Sequence, residues 1–311
     1  MKIAHLSDLH ISHKSRPDNI VHTKRLLEHA LNKNADHIVI TGDLIHLGDA
    51  EDYYELRRLF MELNLLDASK LTLVIGNHDI FGGVHLAEDI IDFPRKAEST
   101  DFDNKIREFR NYFLETFENS YFPVSRKVFP NAKIIGDVVF FSLNSISRYS
   151  KVKNLFASTG RVNKTQREIL RQLFNKKQYR NKKRIVLMHH HFKKHIKEDK
   201  IAFYQHFEDR VNKLRKKKRL LNLFKKSDID LIMHGHQHES LTYSKKGIQI
   251  SNAAGCIDKN EPGELKFNMI HIHEDKITVE VEKLYSEKET MMIQQTQQAG
   301  EPAILVQQNY V

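Results

Sequence analysis

Six short apolar runs, rich in β-branched residues, each end abruptly in polar residues or glycine: 2–7 (KIAHLS), 37–41 (HIVIT), 71–75 (LTLVI), 138–143 (VVFFSL), 184–188 (RIVLM) and 229–233 (IDLIM). Runs of that length and composition read as buried strands. Stretches with helical apolar spacing lie between them, at 19–33, 51–64, 102–118, 164–178 and 205–226. Such alternation confines the chain to the α/β class with largely parallel strands. From 240 onward the pattern changes. SLTYS, IQISNA, LKFNMIHIH and KITVEVEKLY are closely spaced and joined by turns, which predicts an antiparallel second sheet. No internal repeat or linker interrupts residues 1–285, so one domain is expected there. A tail follows over 286–311, with six glutamines and the apolar AILV at 303–306. That tail is expected to dock on the core or on another subunit, giving a homo-oligomer.

In open α/β sheets, sites form beyond the carboxyl ends of strands. Asp8-Leu9-His10 follows the first run, Gly42-Asp43 the second and Gly76-Asn77-His78-Asp79 the third. His189, His190 and His191 follow RIVLM, and His234-Gly235-His236-Gln237-His238 follows IDLIM. The stretch GNHD alone would be a polar turn, since Gly and Asn tolerate positive φ and Asp accepts backbone N–H bonds. Its company at the same sheet edge makes it a site. Carboxylates, an amide and imidazoles form a mixed N/O donor set, which suits Mn, Fe, Zn or Ni better than Ca or Mg. The single cysteine, Cys256, excludes an internal disulfide and a cysteine-cluster zinc site, and fits a reducing, cytoplasmic setting.

The order D-x-H, G-D, G-N-H-D, H, G-H-x-H resembles that of the calcineurin-like metallophosphoesterases, from Asp8 to His238. The resemblance implies a four-layer α-β-β-α sandwich of two mixed sheets, with a dinuclear metal site at the carboxyl ends of the strands. It implies that Asp43 bridges two divalent transition-metal ions (Mn, Fe or Zn). Asp8, His10 and His238 match the ligands of one ion, and Asn77, His189 and His236 those of the other. His190 is the alternative to His189. His78 matches the residue that faces the substrate phosphate, as general acid or electrostatic stabiliser. Asp79 is expected to orient the loop or the imidazole. His234 is expected to pack beneath the site, and His13, His46, His85 and His195 to lie outside the ligand set. Many relatives carry a proline soon after the histidines of the fourth block. Here Phe192-Lys193 stands there, which puts the shape of the substrate pocket in question.

The implied activity is metal-dependent phosphodiester hydrolysis by an activated hydroxide on a small phosphoester substrate. HLSDLHIS and STGRVNKTQREILRQLF (158–174) look most like the bacterial cyclic-nucleotide phosphodiesterase branch, where a Gly and then a Gln inside a helix follow the middle strand. The alternative is a nuclease. Net charge is +10, yet residues 148–226 alone hold 26 Lys and Arg against 5 Asp and Glu. An imbalance of that size speaks to partners, and here to nucleic acid. Hydrolysis of a nucleotide-linked lipid precursor is a third reading. The enzymes of that branch often carry Arg where His78 stands. A non-catalytic protein-binding scaffold is a fourth, and such relatives tend to lose ligands that this chain keeps. The basic face of 211–226 also has a plain explanation, as the solvated side of an amphipathic helix. No apolar run is long enough to span a bilayer.

Overall fold

A computed structural model describes residues 1–84, 87–192, 212–256 and 264–284. His85, His195, the first part of the helix expected over 205–226 and the tail 286–311 lie outside the described residues.

The first sheet has the order β11-β10-β1-β2-β3. Its members are β1 (Lys2–Leu6), β2 (His37–Ile40), β3 (Leu71–Leu73), β10 (Leu265–Ile272) and β11 (Ile277–Leu284). β1, β2 and β3 run parallel, and β10 joins β1 antiparallel with Lys2 opposite His271. The second sheet has the order β4-β5-β6-β7-β9-β8, built from β4 (Asn131–Ile135), β5 (Val138–Ser142), β6 (Lys183–Leu187), β7 (Leu231–His234), β8 (Leu241–Lys245) and β9 (Ile248–Asn252). β5, β6, β7 and β9 run parallel to one another, and the edge strands β4 and β8 are antiparallel to β5 and β9. Both sheets are therefore mixed, as expected.

Alternation along each strand explains the layers. Ile3 and Val39 meet Val138, Phe140, Ile185, Leu187, Leu231 and Met233 between the sheets. Their neighbours Ala4, Leu6, Ile38 and Ile40 face the opposite way. There they pack under the helices α1 (Asn19–Asn32), α2 (Ala50–Glu62) and α5 (Phe102–Tyr112). Val139, Phe141, Val186 and Ile232 pack under α6 (Lys164–Phe174) and α7 (Lys217–Lys226). Period-2 strands buried on both faces give this helix–sheet–sheet–helix stack. The remaining helices are α3 (Asn77–Phe81) and α4 (Ala87–Ser99). No helix among the described residues is long and apolar enough to cross a membrane.

Four expectations are corrected. The strands after 240 form no sheet of their own. They are two hairpins, β8–β9 and β10–β11, and each completes a different mixed sheet. The helix expected over 102–118 stops at Tyr112, where Phe113 leaves helical geometry (φ −127°, ψ 38°) to bury its ring, and a 3-10 turn covers Leu114–Phe117. The helix expected over 164–178 ends at Phe174, and a separate 3-10 turn covers Lys177–Tyr179 because Lys176 is extended (ψ 132°). Of the described part of the helix expected over 205–226, residues 212–216 are not helical and the helix covers Lys217–Lys226. Before it, Gly160 N–H donates to Lys213 O (3.1 Å) and Arg215 N–H donates to Gly160 O (2.8 Å), so that backbone serves a bridge instead of a helix.

β4 was not visible as a strand because Lys133 occupies an inward position. Its ammonium is buried and donates to Leu71 O (2.7 Å), on the edge strand β3, and to Thr116 O (3.0 Å). Burial pushes its pKa down to about 7.

Candidate metal centre

The loops after β1 and β2 are zipped together. Asp8 N–H donates to Gly42 O (2.9 Å), and His10 N–H to Asp43 O (3.0 Å). Asp79, one residue beyond His78, clamps the same loop: its Oδ1 accepts from Leu44 and Ile45 N–H (2.9 and 3.1 Å) and its Oδ2 from Gly76 N–H (2.7 Å). Burial, and then the charge on Asp43, push its carboxyl up to about 7. Of the two roles expected for Asp79, the hydrogen bonds fit loop orientation.

Each sequence-predicted residue arrives at this edge. His10 Nε2 lies 3.1 Å from His238 Nε2, and Asp8 Oδ1 lies 3.8 Å from the first and 3.4 Å from the second. His189 Nε2 lies 3.1 Å from both Asn77 Oδ1 and His236 Nδ1, and 3.2 Å from Asp43 Oδ2. Two groups of ligand atoms result: Asp8, His10 and His238 in one, and Asp43, His189 and His236 in the other. The same oxygen of Asp43 is 3.9 Å from His10 Nε2 and 4.0 Å from His78 Nε2.

The histidine run after β6 divides cleanly. His189 Nδ1 donates to Thr41 O (2.9 Å), which turns its Nε2 toward the cluster. His190 turns away, with Nδ1 on Ser145 Oγ (2.9 Å) and Nε2 on Ser158 O (3.0 Å). Burial holds His190 down, to about 3. His234 is packed below the site, bonded to Tyr243 OH (2.6 Å) and Gly235 O (3.0 Å). His13 is bound to Asp52 Oδ1 (2.7 Å), and the adjacent Asp49 is already paired with Lys14 (2.7 Å).

The donor set fits cations. Asp8 Oδ1 is buried and has no hydrogen-bond partner among the described residues. Burial, then the neighbouring His78 and His238, hold His10 well below the ordinary imidazole range. His236 is held down in the same way, by burial and then His190. Both rings are thus neutral and present lone pairs. Burial alone would raise Asp43, but His189 and then His78 reverse this and keep it ionised. Burial opposes charge on His189 too, yet Asp43 lifts it to about 9. Positive charge is therefore in demand beside Asp43, and a divalent ion there would supply it.

The backbone carries strain at the same place. Asp8, His10, Asp43, His236 and His238 all have positive φ, between 47° and 73°. Non-glycine residues in that region cluster at functional sites. Gly235 is required by close approach, since a Cβ there would run into Ser7 Oγ and Asp8 Oδ2.

A family model described as calcineurin-like phosphoesterase matches residues 1–240. The chain belongs to that family. It is therefore a member of the metallophosphoesterases, whose activities depend on divalent metals. Among solved structures, it is similar to a dimetal phosphatase from Danio rerio (12% identity, TM-score 0.58), over 92% of this chain and 99% of that one. It is also similar to a purple acid phosphatase from yellow lupin (Lupinus luteus) seeds (15% identity, TM-score 0.54), over 91% of this chain and 51% of the other. These likenesses establish the fold. No curated protein matches the chain.

Two further histidines support the site: His46, expected outside the ligand set, and His5, which carried no sequence signal. His46 faces His10, with the two Nδ1 atoms 3.2 Å apart, and its carbonyl accepts from His78 Nδ1 (3.1 Å). His5 lies buried between the sheets, with Nε2 on Thr41 Oγ1 and Nδ1 on Ser251 Oγ, both at 3.0 Å. Thr41 in turn holds His189, so His5 supports a candidate ligand through one intermediary. Nothing in the spacing separates such a histidine from a packed core residue.

Proposed function

We propose that this chain hydrolyses phosphodiesters at a two-metal centre. Asp8, His10 and His238 would hold one ion and Asn77, His189 and His236 the other, with Asp43 between them and Mn, Fe or Zn as the metals. The observation that carries the reading is the position of Asp43 Oδ2, which stands 3.2 Å from His189 Nε2 in one half-site and 3.9 Å from His10 Nε2 in the other. Two divalent ions held ~3.5–4 Å apart supply Lewis-acid polarisation of a phosphoryl oxygen and lower the pKa of water.

The chain's own residues do the rest. His78 is 23% exposed, as open as the candidate ligand His238 at 22%, while Asp8, His10 and Asp43 are buried, so it stands at the open side of the site where a substrate can enter. With Nδ1 as donor to His46 O, its Nε2 is set toward the site. There it can hold a phosphoryl oxygen or move a proton to the leaving oxygen. Its backbone N–H donates to Asp43 Oδ1 (2.9 Å), which fixes the bridging carboxylate against it.

A cyclic nucleotide is the small substrate suggested by the resemblance at 158–174. Gln166, the first of two glutamines in that stretch, bonds both backbone groups of Asn144 (3.0 and 2.8 Å). Its role is to pin the loop after β5, so it says nothing about the base. The reading therefore rests on the metal centre, and cyclic AMP is one test substrate among others. Mn-loaded protein is expected to turn over bis-p-nitrophenyl phosphate and leave the p-nitrophenyl monoester nearly untouched. Preference for the monoester would reject the diesterase reading.

A further inference from the structure

Behind the loop that covers His190 lies a second concave feature. It is a cavity of about 820 Å³, lined by none of the candidate metal ligands. Arg107, Arg126, Lys127, Lys153, Arg161 and Arg215 surround it. Its one acidic lining residue, Asp103, is neutralised by Arg148. Arg126, Lys127, Lys153 and Arg161 are exposed and have no acidic partner within 4.0 Å among the described residues. Two further donors of the lining, Ser147 Oγ and Arg215 Nε, are buried atoms without a hydrogen-bond partner among the described residues.

The basic surface continues past the cavity. The Gly160–Arg215 bridge sets Arg161 beside Lys216 at the start of α7, a helix with no acidic residue in its first turn. Repulsion from Arg161 and Arg219 pulls Lys216 below the ordinary lysine value. Like charges are thus crowded at a helix N-terminus, where an anion would be favoured and cations are not. Beneath this surface Gly160, the residue before Arg161, packs against the buried ring of His190, where a Cβ would clash, and His190 stands one position after the candidate ligand His189.

We infer that this cavity and the adjoining start of α7 form a phosphate-binding track for a single-stranded nucleic acid. This names a substrate class and rests on the phosphodiesterase reading above. Spaced cations suit a ligand with spaced phosphates. The concavity favours a strand over a bilayer, because a flat membrane surface cannot reach donors inside a cavity.

The test is fluorescence anisotropy of labelled single-stranded DNA on the full Mn-loaded chain, titrated with salt. Binding should weaken with log salt at a slope of several units, since each neutralised phosphate of a single strand contributes about 0.7. The combined variant Arg126→Gln, Lys127→Gln, Lys153→Gln, Arg161→Gln, checked for unchanged circular dichroism, should lose about tenfold or more in affinity and about 2–3 units of slope. Asp43→Ala should keep most of its affinity. An unchanged slope in the combined variant would overturn the inference. So would equal competition by a mononucleotide, which would make the cavity a small-ligand site, or binding to anionic vesicles with none to DNA. Binding is read without turnover. A chain that binds the strand but cleaves no diester would refute the proposed activity alone, and diester turnover without salt-dependent strand binding would refute the track alone.

Discussion

His46 and His10 face each other through their Nδ1 atoms at 3.2 Å, so one ring must donate and the other accept. A His10 that offers Nε2 to a metal carries its proton on Nδ1 and donates to His46. His46 thereby sets the tautomer of a candidate ligand. His46→Ala is expected to weaken metal retention about 10- to 100-fold, the range typical for such supporting partners. His46→Asn, which keeps an acceptor, should recover much of it. Metal content after dialysis against a graded chelator reads this directly, and full retention by the alanine variant would remove the role.

Asp43 lies between the two half-sites. Asp43→Ala should lose or misplace both ions and abolish turnover, as measured by metal analysis beside a diester assay. Two metals per chain with normal turnover would show that another group does the bridging.

His78 should separate chemistry from binding. His78→Ala is expected to keep both ions and lose about 10²–10⁴ in kcat, the range for a general acid or an electrostatic group. Metal loss in that variant would reassign His78 as a ligand.

Lys133 gives a pH signature far from the metals. Its folded pKa of about 7 lies below the 10.5 of an ordinary lysine, so the unfolded chain binds more protons between those values. Stability from this group therefore rises with pH across that window and is flat below it. The parent should gain on Lys133→Met by up to about 1.4 kcal/mol per pH unit above pH 7. Denaturant unfolding of both proteins from about pH 6 to about pH 10 measures the difference, and a constant difference would contradict a depressed pKa.

The strand ends were legible because burial on both faces makes a parallel strand a plain apolar run, and the polar residues beyond it stand out. Asp8, Asp43, Asn77 and His236 were readable for that reason. The choice of His189 over His190 was readable only as position along the strand; the bonds from His190 to Ser145 and Ser158, from two places in one loop, supply the physical reason. The partition of the last two hairpins was not readable, since a hairpin's own alternation does not say which sheet it will join. Lys133 hid β4, and the buried His5 carried no mark to set it apart from core. The basic cavity escaped as well. Arg107, Arg126 and Lys127 lie outside the charge-rich stretch 148–226 and are brought to it only by the fold.

The place of β1 sets a timetable for synthesis. It is an inner strand of its sheet, flanked by β2 on one side and by β10, residues 265–272, on the other. Asp8 likewise waits for the backbone N–H of His236, 228 residues later in the chain. A chain emerging from the ribosome therefore holds an open sheet edge and half of the candidate metal site until residues 236 and 265–272 have been made. Such edges recruit wrong partners. Metal capture should accordingly be a late event, completed only when the C-terminal hairpins have left the exit tunnel and closed both sheets.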